Sequence, residues 1–264
     1  MTPIVYPITF DCEPGSPGAI SQCKSREVGT LHQARLDEIR GFFAKQMASA
    51  SGSLDPRLER MFELVPREAF LPRGPWKIKV AESYIDTPSA DPVYVYQNVL
   101  VALDAGKGIN NGEPMLHARW IGAVAPRAGE TVTHIGAGMG YYSAILSMLV
   151  RPGGRLTGFE IEQDLAVAAR RNLAPFENAS IVIGDATLLD TPPSDLIYVN
   201  AGVIGPPEQW LAALRPGGRM IFSMAPVRSR GARGTCHPPR IGVRIEATHA
   251  GVVHSVRRRI DSRE

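Results

Sequence analysis

A glycine-rich turn is the first place in this chain where residue types and spacing could do chemistry. Gly136, Gly138 and Gly140 alternate with other residues directly after an apolar run that begins at Val132. An apolar run, a tight glycine turn and an apolar continuation are typical of α/β proteins that hold a nucleotide-like cofactor. Glycine suits this turn because it adopts dihedral angles closed to other residues and lets a ligand approach bare backbone. We therefore expect a cofactor to lie against the turn.

Two acidic residues follow the glycine turn, each at the end of a further apolar segment. Glu160 ends the segment that starts at Gly154, and Asp185 ends the one that starts at Ala179. A carboxylate at the tip of a second strand can accept two hydrogen bonds from a ribose diol. Either acid alone could equally be a solvated loop residue. The two together, at successive strand tips, favour contacts with a cofactor.

The elements that must position these residues alternate along the chain. The predicted strands lie within residues 132–135, 154–160, 179–186, 194–201 and 214–222, the last after a Pro-Gly-Gly turn. Helices are predicted at 163–173 and 207–214, between the second and third and between the fourth and fifth strands. Strands that alternate with helices of about ten residues predict an α/β fold with a doubly wound, mostly parallel sheet.

The order of these motifs indicates which cofactor the turn suits. Nicotinamide folds usually carry Gly-x-Gly-x-x-Gly, whereas here Gly140 is followed by the bulky pair Tyr141 and Tyr142. The glycine turn, the strand-tip acid, the Gly-Asp-Ala sequence and the Leu-Arg-Pro-Gly-Gly sequence together resemble the class I S-adenosylmethionine (SAM) methyltransferases. The resemblance implies that the turn approaches the methionine portion, that Glu160 holds the ribose, and that Asp185 faces the adenine amino group.

The segment before the sheet narrows the resemblance. The sequence Val-Pro-Arg-Glu-Ala-Phe-Leu-Pro from Val65, at the end of a predicted helix, and Pro-Met-Leu-His-Ala from Pro114, at the start of another, resemble the protein-L-isoaspartate O-methyltransferases. The resemblance covers residues 36–224. It implies methylation of the carboxylate of an isoaspartyl residue in a damaged protein, after which the ester collapses to a succinimide. It also implies an acceptor pocket formed by four residues: Asn110, Asn111, Gly112 and His117.

Two positions depart from the pattern of that family. Gly112 stands where the family has a serine whose hydroxyl lies at the substrate carboxylate, and Asn110 or Asn111 could replace its hydrogen bond. His134 stands where the family has an acid that reaches toward the SAM amino group. One exposed contact is worth about 1 kcal/mol, so we expect cofactor binding to survive the second change. The first change leaves open a different peptide or small-molecule acceptor, including another carboxylate.

The predicted cofactor site extends from the strand end through the turn to both acids. Its residues are His134, Gly136, Ala137, Gly138, Gly140, Tyr141, Glu160, Ile161, Asp185 and Ala186. One of the rings of Tyr141 and Tyr142 is expected to line the cleft, and His117 is either a packing residue or a pocket wall. No catalytic base is predicted, because a carboxylate with a pKa of about 4 is already ionised at neutral pH. A SAM-binding protein without transfer activity and a nicotinamide oxidoreductase remain alternatives.

The cysteine content, the apolar runs and the charge pattern indicate where the protein is located and which partners it has. Three widely separated cysteines fit reduced cytoplasmic thiols and predict neither a disulfide framework nor a metal site. No apolar run reaches the ~18 residues of a membrane span, and no signal pattern is present, so a cytoplasmic protein without a membrane partner is expected. Residues 228–264 hold nine arginines against three acids but no interleaved aromatics, which favours a solvated edge over nucleic acid.

These observations predict four parts of the chain. They are a poorly ordered extension (1–30), N-terminal helices with a substrate-side segment (31–126), a SAM-binding α/β core (127–226) and an arginine-rich end (227–264). Apolar residues at helical spacing begin the second part with a helix over 32–47. In the last part, alternating sequences at 241–247 and 251–256 predict an antiparallel hairpin at the edge of the sheet.

Overall fold

The computed structural model describes the backbone of residues 17–224, 242–247 and 253–256, and the side chains of residues 31–223. The chain divides into two compact units, Met1–Glu38 and Ile39–Glu264. Helix α1 spans Pro17–Ser51, so it begins earlier than the apolar spacing from residue 32 predicts. The first turns carry little apolar periodicity, but proline is well suited to an initial helical position. The rest of the predicted extension, residues 1–16, lies outside the described residues.

Short elements lead from this helix to the main sheet. Helix α2 (Arg57–Leu64) buries Leu58 and Phe62 and ends just before Pro66, as the sequence predicts, because the residue before a proline disfavours helical geometry. A single 3₁₀ turn follows at Arg67–Phe70. The next elements are two small hairpins, with a second 3₁₀ turn (Pro92–Val95) between them, and a helix: β1 (Lys77–Val80), β2 (Ser83–Asp86), β3 (Ala102–Asp104), β4 (Ile109–Asn110) and α3 (Pro114–Val124).

The main sheet has seven strands, and its five-stranded parallel part confirms the predicted doubly wound fold. These five strands are β5 (Thr131–Ile135), β6 (Arg155–Glu160), β7 (Ala179–Ile183), β8 (Ser194–Val203) and β9 (Leu214–Met224). The helices between them are α4 (Tyr141–Leu149), α5 (Gln163–Asn172) and α6 (Glu208–Ala212). Buried apolar residues of the strands and helices form the core between the sheet and the helices, and they include Ile197, Val199 and Trp210.

The strand order fixes where a ligand can bind. The order β7-β6-β5-β8-β9 means that the chain runs outward on one side of β5 and then crosses back to its other side at β8. Such a reversal opens a crevice at the carboxyl ends of the two central strands. The glycine turn follows β5 directly, so it lies at the mouth of this crevice.

The far edge of the sheet is antiparallel. Strand β10 (Gly242–Ala247) pairs antiparallel with β9, and β11 (Val253–Val256) pairs antiparallel with β10. The hairpin predicted from the alternating sequences falls on these two strands. Within the described parts of the chain, no helix has the length and apolar character needed to cross a membrane.

Candidate active site

A cavity of about 230 Å³ lies at the carboxyl end of β5. The glycine turn forms its floor, and Leu103 and Ile109 of the β3–β4 hairpin form another wall. Asn200 and Ala201 of β8 complete it from the other side of the strand reversal. Six of the ten predicted cofactor residues line this cavity: Gly136, Ala137, Gly138, Tyr141, Glu160 and Ile161.

The turn needs glycine for both conformation and space. Gly136 and Gly138 have φ values of +76° and +56°, in the left-handed region that side chains disfavour. A Cβ on Gly136 would lie 3.0 Å from the carbonyl oxygen of Asn200, and one on Gly138 would lie 3.0 Å from Leu103 Cδ1. Gly140 does not line the cavity but caps the start of α4 with φ +95°. The prediction that backbone is exposed to a ligand here therefore agrees with the geometry.

Glu160 joins the glycine turn to the second strand. One carboxylate oxygen accepts a hydrogen bond from Gly138 N at 2.6 Å, and the other accepts one from Glu162 N at 3.0 Å. The side chain is buried, yet it lines the cavity. Because each carboxylate oxygen can accept more than one bond, Glu160 can hold the turn and still accept from a ligand hydroxyl.

Asp185 lies outside this cavity. Its Oδ1 accepts hydrogen bonds of 2.8 Å from both the backbone N and the hydroxyl of Thr187, which lowers the pKa of the Asp185 carboxyl. The neighbouring Ala186 also lies outside, and its carbonyl accepts from Gln209 and Trp210. The carboxylate thus caps its own loop in this geometry. The contact predicted between Asp185 and adenine remains a prediction.

His134 does not line the cavity either. Its ring is fully buried, and Nδ1 lies 2.8 Å from the hydroxyl of Ser143 on α4. Burial lowers the pKa of His134 to about 3, so the ring is neutral at pH 7. The side chain points beneath the turn toward a helix, whereas the cavity lies beyond the strand end. The contact predicted between His134 and the cofactor remains a prediction.

On the acceptor side, His117 was expected to be either a packing residue or a wall of the pocket. The ring is buried, stacks on Tyr142 with centroids 3.8 Å apart, and bonds through Nδ1 to the Tyr198 hydroxyl at 2.6 Å. His117 is thus a packing residue rather than a wall of the cavity. Tyr141 and Tyr142 are both buried and both line the cavity, whereas only one ring was expected to do so. Burial raises the pKa of both phenols.

Gly112 is constrained by the same histidine. It has φ +79°, and an added Cβ would lie 2.2 Å from Nε2 of His117. It does not line the cavity, but Asn110 and Asn111 beside it do. The structure thus brings two of the four predicted acceptor residues to the cavity and uses the other two to shape the wall behind it.

The two asparagines have different surroundings. Asn110 Oδ1 accepts from Gly112 N at 3.0 Å, which closes a local turn. Asn111 is buried, and its Oδ1 accepts from Arg67 Nη2 at 3.0 Å and from Val101 N at 3.3 Å. The first contact organises the loop, whereas the second connects the cavity wall to a distant arginine.

Arg67 belongs to the Val-Pro-Arg-Glu sequence, and the sequence alone predicts no role for it. Its guanidinium is fully buried and donates to the carbonyl oxygens of Val95 at 2.6 Å, Val99 at 2.7 Å and Gln97 at 3.0 Å. Burial lowers the pKa of this guanidinium. Asn200 and Ala201 were also missed, although the rule that ligands bind at the strand reversal would have indicated the end of the fourth strand.

The fold is that of the class I methyltransferases, and a glycine turn and a strand-tip acid line one cavity where its strand order reverses. More narrowly, a family model described as Protein-L-isoaspartate(D-aspartate) O-methyltransferase (PCMT) matches residues 48–234, and the chain belongs to that family. The family resemblance drawn from the sequence is thereby confirmed.

Individual relatives agree with this assignment. A protein-L-isoaspartate O-methyltransferase of Methylorubrum extorquens is 30% identical over 213 residues, which cover 80% of this chain and 82% of the relative. One of Methanopyrus kandleri is 33% identical over 163 residues, and the match spans 60% of this chain and 64% of that protein. A Plasmodium falciparum structure described as a PCMT, in complex with S-adenosyl-L-homocysteine, shares the fold with a TM-score of 0.61 at 15% identity, over 83% of this chain and 94% of that one.

Proposed function

We propose that this protein transfers the methyl group of SAM to the carboxylate of isoaspartyl residues in damaged proteins. The observation that carries the proposal is the buried Glu160 carboxylate, which bonds to Gly138 N within the cavity wall of a chain that belongs to this family. We also propose a cytoplasmic location, which three widely separated cysteines support.

The residues of the cavity fit SAM as a methyl donor. Glu160 presents acceptor oxygens suited to a ribose diol, and the backbone of residues 136–139 can be approached closely because two of its glycines carry no side chain. Ile161 exposes apolar surface beside the acid, which suits a planar ring. When bound, SAM supplies an electrophilic methyl group on a positively charged sulfur.

The demands on the other residues are modest. A carboxylate acceptor is ionised at neutral pH, so no residue has to remove a proton from it. The chain has to hold that carboxylate in line and limit the water around it. The buried rings of Tyr141 and Tyr142 and the side chain of Phe70 line the cavity and can exclude water. The asparagine side chains lie where they can orient the acceptor.

A second candidate is transfer to a different carboxylate on a peptide or small molecule. The observation that favours it is the Gly112 backbone, which leaves no room for the serine of the family beside His117. In either case the donor and the transfer chemistry are the same, and only the acceptor differs.

The decisive assay measures methyl transfer from labelled SAM to an isoaspartyl peptide, with its normal aspartyl twin as the control. Transfer to the isoaspartyl peptide alone supports the proposal. Transfer to neither peptide, with tight binding of S-adenosylhomocysteine in calorimetry, would leave a different acceptor or a binding protein without transfer activity. Preference for NADH over S-adenosylhomocysteine would remove the methyltransferase proposal altogether.

A further inference from the structure

The side-chain amide of Asn111 is held in one orientation. Its two hydrogen-bond partners, Arg67 Nη2 and Val101 N, are both donors and cannot accept. The atom that faces them must therefore be the amide oxygen, which assigns the other position to Nδ2. The side chain is only 5% exposed, and Nδ2 has no hydrogen-bond partner among the residues that the structure describes. A donor is thus fixed in the cavity wall without a protein acceptor.

A positive charge lies directly behind this amide. Within the described part of the chain, the buried Arg67 guanidinium makes four hydrogen bonds, and all go to neutral oxygens: three main-chain carbonyls and Asn111 Oδ1. A buried cation without an anionic partner is costly, and it favours any anion that can come close. The amide lies between this charge and the cavity, and a hydrogen bond from a cation to its oxygen makes its N–H groups stronger donors.

Two further groups without partners lie in the same wall. The hydroxyls of Tyr141 and Tyr142 are buried, and neither bonds to another described residue. Asn110 is different, because its Oδ1 is engaged with Gly112 N and its side chain is more exposed. Three residues of the cavity wall thus hold an amide donor and two hydroxyls that have no hydrogen-bond partner among the described residues, and an oxygen-rich acceptor could supply one. An ammonium group could not bind here in the same way, because it and the Asn111 N–H group are both hydrogen-bond donors.

We propose that Asn111 binds the acceptor carboxylate through Nδ2 and that Arg67 is the positioning residue that holds the amide in place. This inference rests on the proposed function, since it names the residue that recognises the acceptor in that reaction. It decides between the two asparagines and explains how the chain can lack a serine at position 112. It also restricts the acceptor to an anionic oxygen group.

The variant Asn111→Asp isolates the proposed role. Aspartate keeps an acceptor toward Val101 N and pairs with the Arg67 guanidinium, so the fold is expected to be as stable as the wild type or more stable. It removes the donor and also places a negative charge against the acceptor. Because a hydrogen bond to a charged group is lost, kcat/KM for the isoaspartyl peptide should fall at least about tenfold, while the Kd for S-adenosylhomocysteine is unchanged.

Asn178→Asp is the matched control. Asn178 Nδ2 donates to the carbonyls of Ser147 and Gly154, at the end of the sheet opposite the cavity. This variant should have a lower melting temperature and an unchanged KM, the reverse of the result for Asn111→Asp. The inference is overturned if Asn111→Asp keeps kcat/KM within about twofold of the wild type, or if it loses S-adenosylhomocysteine binding to the same extent.

A binding measurement separates this inference from the proposed function. The ¹⁵N side-chain amide signal of Asn111, assigned by its absence in Asn111→Asp, should shift when the isoaspartyl peptide or acetate is added to the protein with S-adenosylhomocysteine bound. A shift with acetate in a wild type that does not methylate the peptide would reject the proposed substrate and support the carboxylate site. No shift with either probe would reject the role of Asn111, whatever the activity.

Discussion

At the scale of single residues, Gly112 and His117 leave no space for a side chain between them. Gly112→Ser would need a left-handed dihedral and would bring a Cβ within 2.2 Å of His117 Nε2, whose ring is fixed by Tyr142 and Tyr198. We expect the free energy of unfolding to fall by about 1–3 kcal/mol, because backbone strain and steric overlap add. Urea denaturation followed by fluorescence measures this.

Gly41→Ser is the control for that change, since a Cβ at Gly41 meets nothing within 4 Å and the residue has no positive φ. Its stability should stay within about 0.5 kcal/mol of the wild type. A Gly112→Ser protein of wild-type stability with faster isoaspartyl methylation would contradict the prediction, and would mean that the serine of the family can be restored.

The two predicted acids should differ in their effect on the cofactor. Glu160 lines the cavity, and each of its two oxygens accepts a hydrogen bond from a backbone N–H group. Glu160→Gln replaces one of these oxygens with an NH₂ group, which repels the N–H of Gly138 or of Glu162. Binding of S-adenosylhomocysteine should weaken by about 1–3 kcal/mol, measured by calorimetry. Asp185→Ala should weaken it less, because that carboxylate is bonded to Thr187 and lies outside the cavity. Equal losses would show that Asp185 reaches the ligand.

At the scale of elements, the glycine turn depends on the hairpin above it. Gly138 has φ +56°, and Leu103 Cδ1 on β3 lies 3.0 Å from the place a Cβ would take, which is closer than ordinary van der Waals contact. Gly138→Val should therefore abolish S-adenosylhomocysteine binding in calorimetry. The melting temperature should fall by only a few degrees, because the buried residues of β5 and α4 are unchanged. Retained binding would mean that no ligand approaches the turn.

Most elements could be predicted because their signals are local. The parallel strands and the helices between them are specified by apolar runs of the right length, bounded by glycine, proline or acidic residues. Helix α1 was only partly predicted, since residues 17–30 have no apolar period and their helical state leaves no pattern in the sequence. Helix α6 (Glu208–Ala212) is shorter than the predicted 207–214, because the chain turns into β9 already at Leu214.

The site was predicted less completely because its contacts are long-range. The glycine turn and Glu160 lie 20 to 24 residues apart and belong to one recognisable unit of the fold. Arg67 and Asn111 are separated by 44 positions, and no pattern in the residues around either of them indicates that they form a hydrogen bond. The hydrogen bond between His134 and the Ser143 hydroxyl was also not predicted, because a family position does not reveal the direction of a side chain.

At the scale of the whole molecule, one buried histidine should make stability depend on pH. Burial lowers the pKa of His134 from 6.5 to about 3, so the unfolded chain binds a proton that the folded chain refuses throughout this range. Stability is fully present above pH 6.5 and falls as the pH decreases toward 3, by about 1.4 kcal/mol per pH unit from this group. Urea unfolding at pH 7, 6 and 5 measures the slope.

His134→Gln provides the comparison for that slope. Glutamine can keep a hydrogen bond to the Ser143 hydroxyl but does not titrate. Between pH 6.5 and 5, the slope of the unfolding free energy against pH should therefore decrease by an amount that corresponds to nearly one proton. Identical slopes for the two proteins would show that folding does not lower the pKa of His134.

The antiparallel end of the sheet has a consequence for association. Strand β10 occupies the backbone donors and acceptors along one side of β9, and β11 in turn occupies those of β10. A chain cut after residue 224 would uncover the amides and carbonyls of an apolar central strand. Uncovered strand edges can pair with other chains, so we expect a chain cut after residue 224 to associate more readily than the full chain.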